Sequence, residues 1–189
     1  MPGVHMRCNT MNAALVLAIM GVEPAFIEST LGQWTGIPHR LQFFHTWQSP
    51  SGTKFRFFND SCSTVPEAAA VASQSFGKQV VFITGGTDKG LDFMPLAATL
   101  NYKDSFSTKV YKLYLLDGTG TEKLVQLLKK DQIDFDKPFD SLELLLKKLK
   151  EDLLMAGDSF LSDTIVFSPG ATSFGMFTNE FDRGNKFMN

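Results

Sequence analysis

The sequence has little of what marks a chain for export, for a membrane or for a structural metal. Cysteine is scarce: Cys8 and Cys62 are the only two, far apart and without a C-x-x-C or Cys/His ligand spacing. That argues against a disulfide framework and against a zinc site, and a reducing cytosol is expected. Long apolar runs are also missing. The stretch from Ala13 to Met20 is too short to span a bilayer, and no cationic leader with a small-residue cleavage site precedes it. No membrane partner and a cytoplasmic location are the expectation. Neither charge sign dominates, with 18 Lys and Arg against 20 Asp and Glu and a net charge of -2. The basic residues are scattered along the chain, so no footprint for nucleic acid is visible. A phosphate loop is absent too. The Gly-rich stretch Gly85-Gly86-Thr87-Asp88-Lys89-Gly90 fails the G-x-x-x-x-G-K-[ST] spacing, because Gly90 stands where a Ser or Thr would bind magnesium. No G-x-G-x-x-G follows a strand, and no metal site is expected.

What is present is enough apolar material for one full core: 43% of 189 residues, including 18 Phe, most of them at core-like spacing, as in Phe55, Phe57 and Phe82. The opening residues read as two helices, the first ended by Gly21 and the second carrying Pro24 in its first turn. Helical periodicity stops near residues 34–38, which is the expected domain junction. This gives a helical segment over 1–35 and a strand-bearing domain over 36–189. LQFFHTW and TKFRFF are β-rich runs joined by the turn-forming QSPSG. VPEAAAVASQSF then reads as a helix and KQVVFITGG as a buried parallel strand. The alternation continues with strand KVYKLYLLDG, helices GTEKLVQLLKK and SLELLLKKLKEDLLM, strand DTIVFSPG and a terminal helix over SFGMFTNEFDRGNKF. DQIDFDKPFD, charged and interrupted by Pro138, reads as a solvated loop. The fold class expected is α/β, a mostly parallel Rossmann-like sheet with helices on both faces.

In such a sheet, ligands bind beyond the carboxyl ends of the strands. Four strand ends carry polar or Gly-rich sequence: Asn59–Thr64, Gly85–Gly90, Asp117–Gly120 and Ser168–Ser173. Helix capping is the plainer reading for Asp117–Gly120. Six consecutive small polar residues at Asn59–Thr64 exceed what one cap requires, and there capping and ligand binding stand about even. Lys89 is the strongest candidate, since a lysine in a Gly-rich loop can receive a carboxylate or phosphate. Arg40, after Pro38 and His39, offers a fork of donors for the same kinds of group, or an interdomain contact.

Gly36-Ile37-Pro38-His39-Arg40, the Asn59–Thr64 stretch with Pro66-Glu67-Ala68, GGTDKG and SPGATSFGMFTNEFDRGNKF together resemble, in order and spacing, the C-terminal domain of Mur ligases, and the closing motif resembles the branch that adds D-glutamate. Gly3-Val4-His5-Met6-Arg7-Cys8-Asn9 looks like the end of that family's central ATPase domain, so residues 1–35 would be its helical remnant. The resemblance implies an amide-forming, acid–amino acid ligase of peptidoglycan synthesis, hence of cell-wall, shape and division processes. D-glutamate and UDP-N-acetylmuramoyl-L-alanine would be the substrates, ATP and Mg2+ the cofactors, and an acyl phosphate the intermediate. It implies that Lys89, Thr64 and Ser173 bind D-glutamate and that His39, Arg40, Asp60, His5 and Asn9 face the nucleotide. Without the N-terminal and central domains and their phosphate loop, this chain is expected to bind neither cofactor and to be inactive alone. A stand-alone binding module and a sister Mur or folylpolyglutamate-type ligase are the alternatives. Three positions depart from the family pattern: Met6 replaces an Asn, Cys62 a Lys, and Glu180 an aromatic residue found in some members.

Overall fold

The computed structural model describes residues 2–100, 110–156 and 161–189. Two helices come first, α1 (Val4–Ile19) and α2 (Pro24–Gln33), with Pro24 at the helix start, where its missing N–H costs nothing. β1 (Gln42–Gln48) and β2 (Lys54–Asn59) follow, then α3 (Pro66–Ser73), β3 (Val80–Gly85), α4 (Met94–Leu100) and β4 (Val110–Leu116). α5 (Thr119–Lys130), α6 (Leu142–Ala156), β5 (Thr164–Phe167) and α7 (Glu180–Met188) are the remaining elements among the described residues. Lys109, the first residue of the expected fourth strand, lies outside the described residues.

The five strands form one sheet in the order β1-β2-β5-β3-β4. β1 and β2 are an antiparallel hairpin, and every other pairing is parallel. The α/β class with a mostly parallel sheet is therefore what the chain adopts. Side chains alternate across the sheet as strand geometry demands. Phe58, Val166, Phe82 and Leu113 are register neighbours and pack with α3, α4 and α5. Phe167, Ile83 and Tyr114 point to the opposite face, under Leu145, Leu149 and Leu153 of α6 and Phe187 of α7. A strand buried on both faces needs a continuous apolar run, which is why VVFI of β3 has no polar residue and is wholly buried.

Four local expectations need correction. α4 was not foreseen. The terminal helix starts at Glu180 rather than at Ser173, because Asn179 caps it by accepting from the N–H groups of Phe181 and Asp182. No side chain caps α5, so the capping expected of Asp117–Gly120 does not occur. Gly118 sits there at φ 148°, with its Cα against the Gly86 carbonyl, where a β-carbon would collide. Finally, the 131–140 loop is not merely solvated: Ile133 is buried, and Phe139 exchanges backbone hydrogen bonds with the edge strand through Leu115 and Asp117.

Candidate functional site

The carboxyl ends of the parallel strands lie along one edge, and backbone bonds tie their loops together. Gly170 N–H donates to the Ser63 carbonyl at 3.0 Å, joining the loop after β5 to the loop after β2. Thr172 pairs with Thr87, and the Thr87 hydroxyl donates to the Phe174 carbonyl at 2.7 Å, joining the β5 loop to the β3 loop. Gly120 N–H donates to the Gly86 carbonyl at 2.9 Å, which brings in the loop after β4.

Lys89 lies exposed on this rim and its Nζ reaches Thr64 Oγ1 at 3.4 Å, a long and weak contact. The neighbouring Asp88 does not neutralise it, because that carboxylate is committed to Lys123 and to the Leu91 N–H. The hydrogen bonds from Lys123 and Leu91 hold the Asp88 carboxyl below the usual range. Lys89 thus keeps donors for an incoming anion. Ser173 is nearly buried on the adjacent loop. Among the described residues no hydrogen bond joins it to Lys89 or Thr64; the Thr87–Thr172 pairing is what brings its loop alongside.

A second group converges at the junction with the helical segment. A cavity of about 490 Å3 is lined by His5, Asn9, Ile37, Arg40 and Asp60, with Met6 where the family pattern has Asn. His5 Nδ1 is buried and has no hydrogen-bond partner among the described residues. Burial, and secondarily the charge of Arg40, lower the His5 pKa, favouring the neutral ring. His39 is not part of this lining. Its ring is buried, packs edge-on to Phe181 at 5.5 Å and lies 2.9 Å from Asn59 Nδ2. Asn59 Oδ1 accepts from Ser61 N–H and its amide also donates to the Gly184 carbonyl, so the amide orientation is fixed. His39 Nδ1 must therefore be the acceptor and unprotonated. Both oxygens of Asp60 are engaged inside the protein, Oδ1 by Leu41 N–H at 3.0 Å and Oδ2 by the Ser168 hydroxyl at 2.7 Å. Burial nevertheless pushes its carboxyl up to about 6.

No family model matches the chain. Curated proteins do. Over 161 residues, 85% of the chain, it is 44% identical to the UDP-N-acetylmuramoylalanine--D-glutamate ligase of Treponema pallidum. Over 98% of its length it is 33% identical to the protein of that name from Roseiflexus sp. and 32% identical to that from Aquifex aeolicus. The chain belongs to the Mur ligase family. It spans between 27% and 40% of the length of these three relatives.

In this Mur ligase chain the residue that organises the rim is one that sequence reasoning passed over. Arg183 of α7 is completely buried. It donates from Nε to Ser61 Oγ at 3.0 Å, from Nη2 to the Ser61 carbonyl at 2.8 Å and from Nη1 to the Ala171 carbonyl at 2.9 Å. Ser61 Oγ in turn donates to the Glu180 carbonyl at 2.7 Å. One guanidinium therefore fixes the spacing of the loops that carry Thr64 and Ser173. Burial pulls its pKa down to about 10, and the group remains charged at neutral pH. The available signal was positional: Arg183 and Gly184 share a helix face with Phe187, where a solvated arginine would not be placed. Gly184 packs so closely on His39 and Asn59 that a β-carbon would clash with both. The Asn59–Thr64 stretch does not cap α3 with a side chain; Asn59, Asp60 and Ser61 instead tie the rim together, while Ser63 Oγ is buried with no hydrogen-bond partner among the described residues.

Proposed function

We propose that the chain is the C-terminal, amino-acid-binding part of an ATP-dependent ligase that joins D-glutamate to UDP-N-acetylmuramoyl-L-alanine in peptidoglycan synthesis. In this reading residues 36–189 form the amino-acid-binding domain and residues 1–35 are the end of the central ATPase domain. A dianionic amino acid needs a cation and neutral donors. Lys89 would receive a D-glutamate carboxylate, with Thr64 and Ser173 supplying hydroxyls, so that the amine is free to attack an activated carboxyl. ATP would supply that activation as an acyl phosphate. His5, Asn9, Arg40 and Asp60, which line one cavity, would border the nucleotide. His39, whose ring faces Asn59 and Phe181, would act by fixing the turn that presents Arg40.

The described residues contain no group of three or more His, Cys, Asp or Glu suited to a metal ion, and the proposal assigns none of them to magnesium. The phosphate loop and the UDP-sugar site would belong to the N-terminal and central domains of the same enzyme, so this chain alone would not ligate. Its place of action would be the cytoplasm. No helix among the described residues is long and apolar enough to cross a membrane.

The observation that carries this reading is the meeting of Lys89 and Thr64 on the rim, in a chain whose relatives over nearly all its length are D-glutamate ligases. The test is ADP release by the complete polypeptide with ATP and UDP-N-acetylmuramoyl-L-alanine. Release should depend on D-glutamate, and Lys89→Ala should raise the D-glutamate KM roughly 10- to 100-fold while the ATP KM changes by less than about twofold. Equal turnover with lysine or glycine in place of D-glutamate, or an unchanged D-glutamate KM in the variant, would remove the assignment.

A further inference from the structure

The two edges of the sheet are treated differently. The β4 edge is covered by the 131–140 loop, through the bonds that Phe139 makes to it. β1 is the outermost strand on the other side, and among the described residues only β2 pairs with it. The register slips between Phe43 and His45, so the regular edge runs from His45 to Gln48. Sheet edges are usually guarded by a charged residue or a proline, and QFFHTWQ of β1 has no Lys, Arg, Asp, Glu or Pro. Every second residue of such an edge turns its backbone N–H and C=O outward, a template for a further strand.

A groove of about 270 Å3 runs beside this edge, formed by Trp47 of β1, Phe57 of β2 and Leu146, Leu149 and Leu153 of α6. α6 packs toward β4, at the far edge of the sheet, which leaves Trp47 and Phe57 only half covered. The exposed members of the lining are His45 and Lys150, and no Asp or Glu lines the groove. Lys150 forms no ion pair with a described residue. The volume lies below the range of small-molecule sites and suits one or two side chains.

We propose that β1 is a docking edge for an extended segment of a partner protein, which adds a strand to the sheet, lays an apolar side chain in the groove and presents an Asp or Glu to Lys150. Main-chain hydrogen bonds supply the affinity of such a contact and the groove its selectivity. Because strand side chains alternate, the apolar and acidic residues of that segment stand two apart. The basic lining favours this partner over a second copy of the chain, whose own β1 has no carboxylate to offer. The inference stands on the edge and its groove and does not rest on the ligase reading.

The probe is the fluorescein-labelled peptide Thr-Leu-Thr-Glu-Thr-Leu-Thr, titrated with the full chain and followed by anisotropy. Saturable binding is expected at an apparent Kd below about 100 μM, with residues 45–48 gaining protection from hydrogen exchange. The same peptide with Lys in place of Glu should bind at least about ten-fold more weakly. Lys150→Glu should reverse that preference, a charge exchange that misfolding cannot imitate. N-methylation along the peptide backbone should abolish binding, because the strand pairing is lost. Lys129→Gln, on α5 across the sheet, should leave binding within about twofold. The proposal is overturned by absence of saturable binding, by equal binding of the Glu and Lys peptides, by a Glu preference that survives Lys150→Glu, or by unimpaired binding after N-methylation. Dimerisation in sedimentation that itself protects residues 45–48 also overturns it, because a second copy then occupies the edge.

Discussion

Asp60 sets a pH dependence that can be stated with its sign. Its carboxyl is pushed up to about 6 from an ordinary 3.8, chiefly by burial, against the hydrogen bonds from Ser168 and Leu41. Between those values the folded protein keeps a proton that the unfolded chain has released, so this group's contribution to stability falls as pH rises through the window. The difference corresponds to about 3 kcal/mol. Urea unfolding at a series of pH values should show that decline, and Asp60→Asn should abolish it; a variant retaining the same slope would refute the assignment. Asp152 has the opposite sign. Burial works to raise it, but hydrogen bonds from Lys112, Lys148 and Tyr114 outweigh burial and hold it at about 2. Its stabilisation is present above about pH 4 and is lost as pH falls toward 2. Only part of this was legible from residue types. A lysine in a Gly-rich loop announces its own exposure, and Lys89 is exposed. Nothing in the letters Asn-Asp-Ser reveals that these side chains are spent on Leu41, Ser168, Gly184 and Glu180, because those partners come from distant parts of the chain.

Elements were legible where periodicity is strong and ambiguous where a polar segment adjoins a helix. α5 and α6 have clear amphipathic patterns, and their observed spans fall within a residue or so of expectation. α4 escaped because Pro95 suggests a break, although Asp92 accepting from Met94 N–H and a proline near the helix start are both initiation signals. The α7 boundary was misplaced because its sequence up to Asn179 is helix-compatible; the decisive information is a reciprocal cap, Asn179 accepting from Asp182 N–H while Asp182 accepts from Thr178 N–H. Asn179→Ala should therefore cost about 1 kcal/mol in chemical denaturation. Arg183→Met should cost more, roughly 3 kcal/mol, since it leaves the Ser61 and Ala171 carbonyls without their donor. A smaller loss for Arg183→Met than for Asn179→Ala would mean that the guanidinium does not hold the rim.

At the scale of the whole molecule, the helical opening and the sheet-bearing remainder differ in how much they bury. α1 buries only Met6 and α2 only Ile27, whereas Met11, Leu15, Ile19, Met20 and Phe26 stand exposed. The described sheet and its covering helices have two complete apolar layers of their own. Residues 36–189 should accordingly fold without the first 35. A shortened chain of those residues is expected to melt cooperatively, with near-ultraviolet circular dichroism like that of the longer one. Loss of the cooperative transition would show that α1 and α2 belong to the same folding unit. The groove beside β1 was hidden in the sequence, since which side chains flank an edge strand is decided by strand order and by where α6 docks.

The guanidinium beneath the rim loops lies close to the last described residue, Asn189. A frameshift or protease that removed the chain from Arg183 onward would leave every strand intact while taking away the strut between Ser61 and Ala171. Loss of that segment would thus be felt first in the spacing of the rim loops, and Phe187 would leave the layer it shares with Phe167.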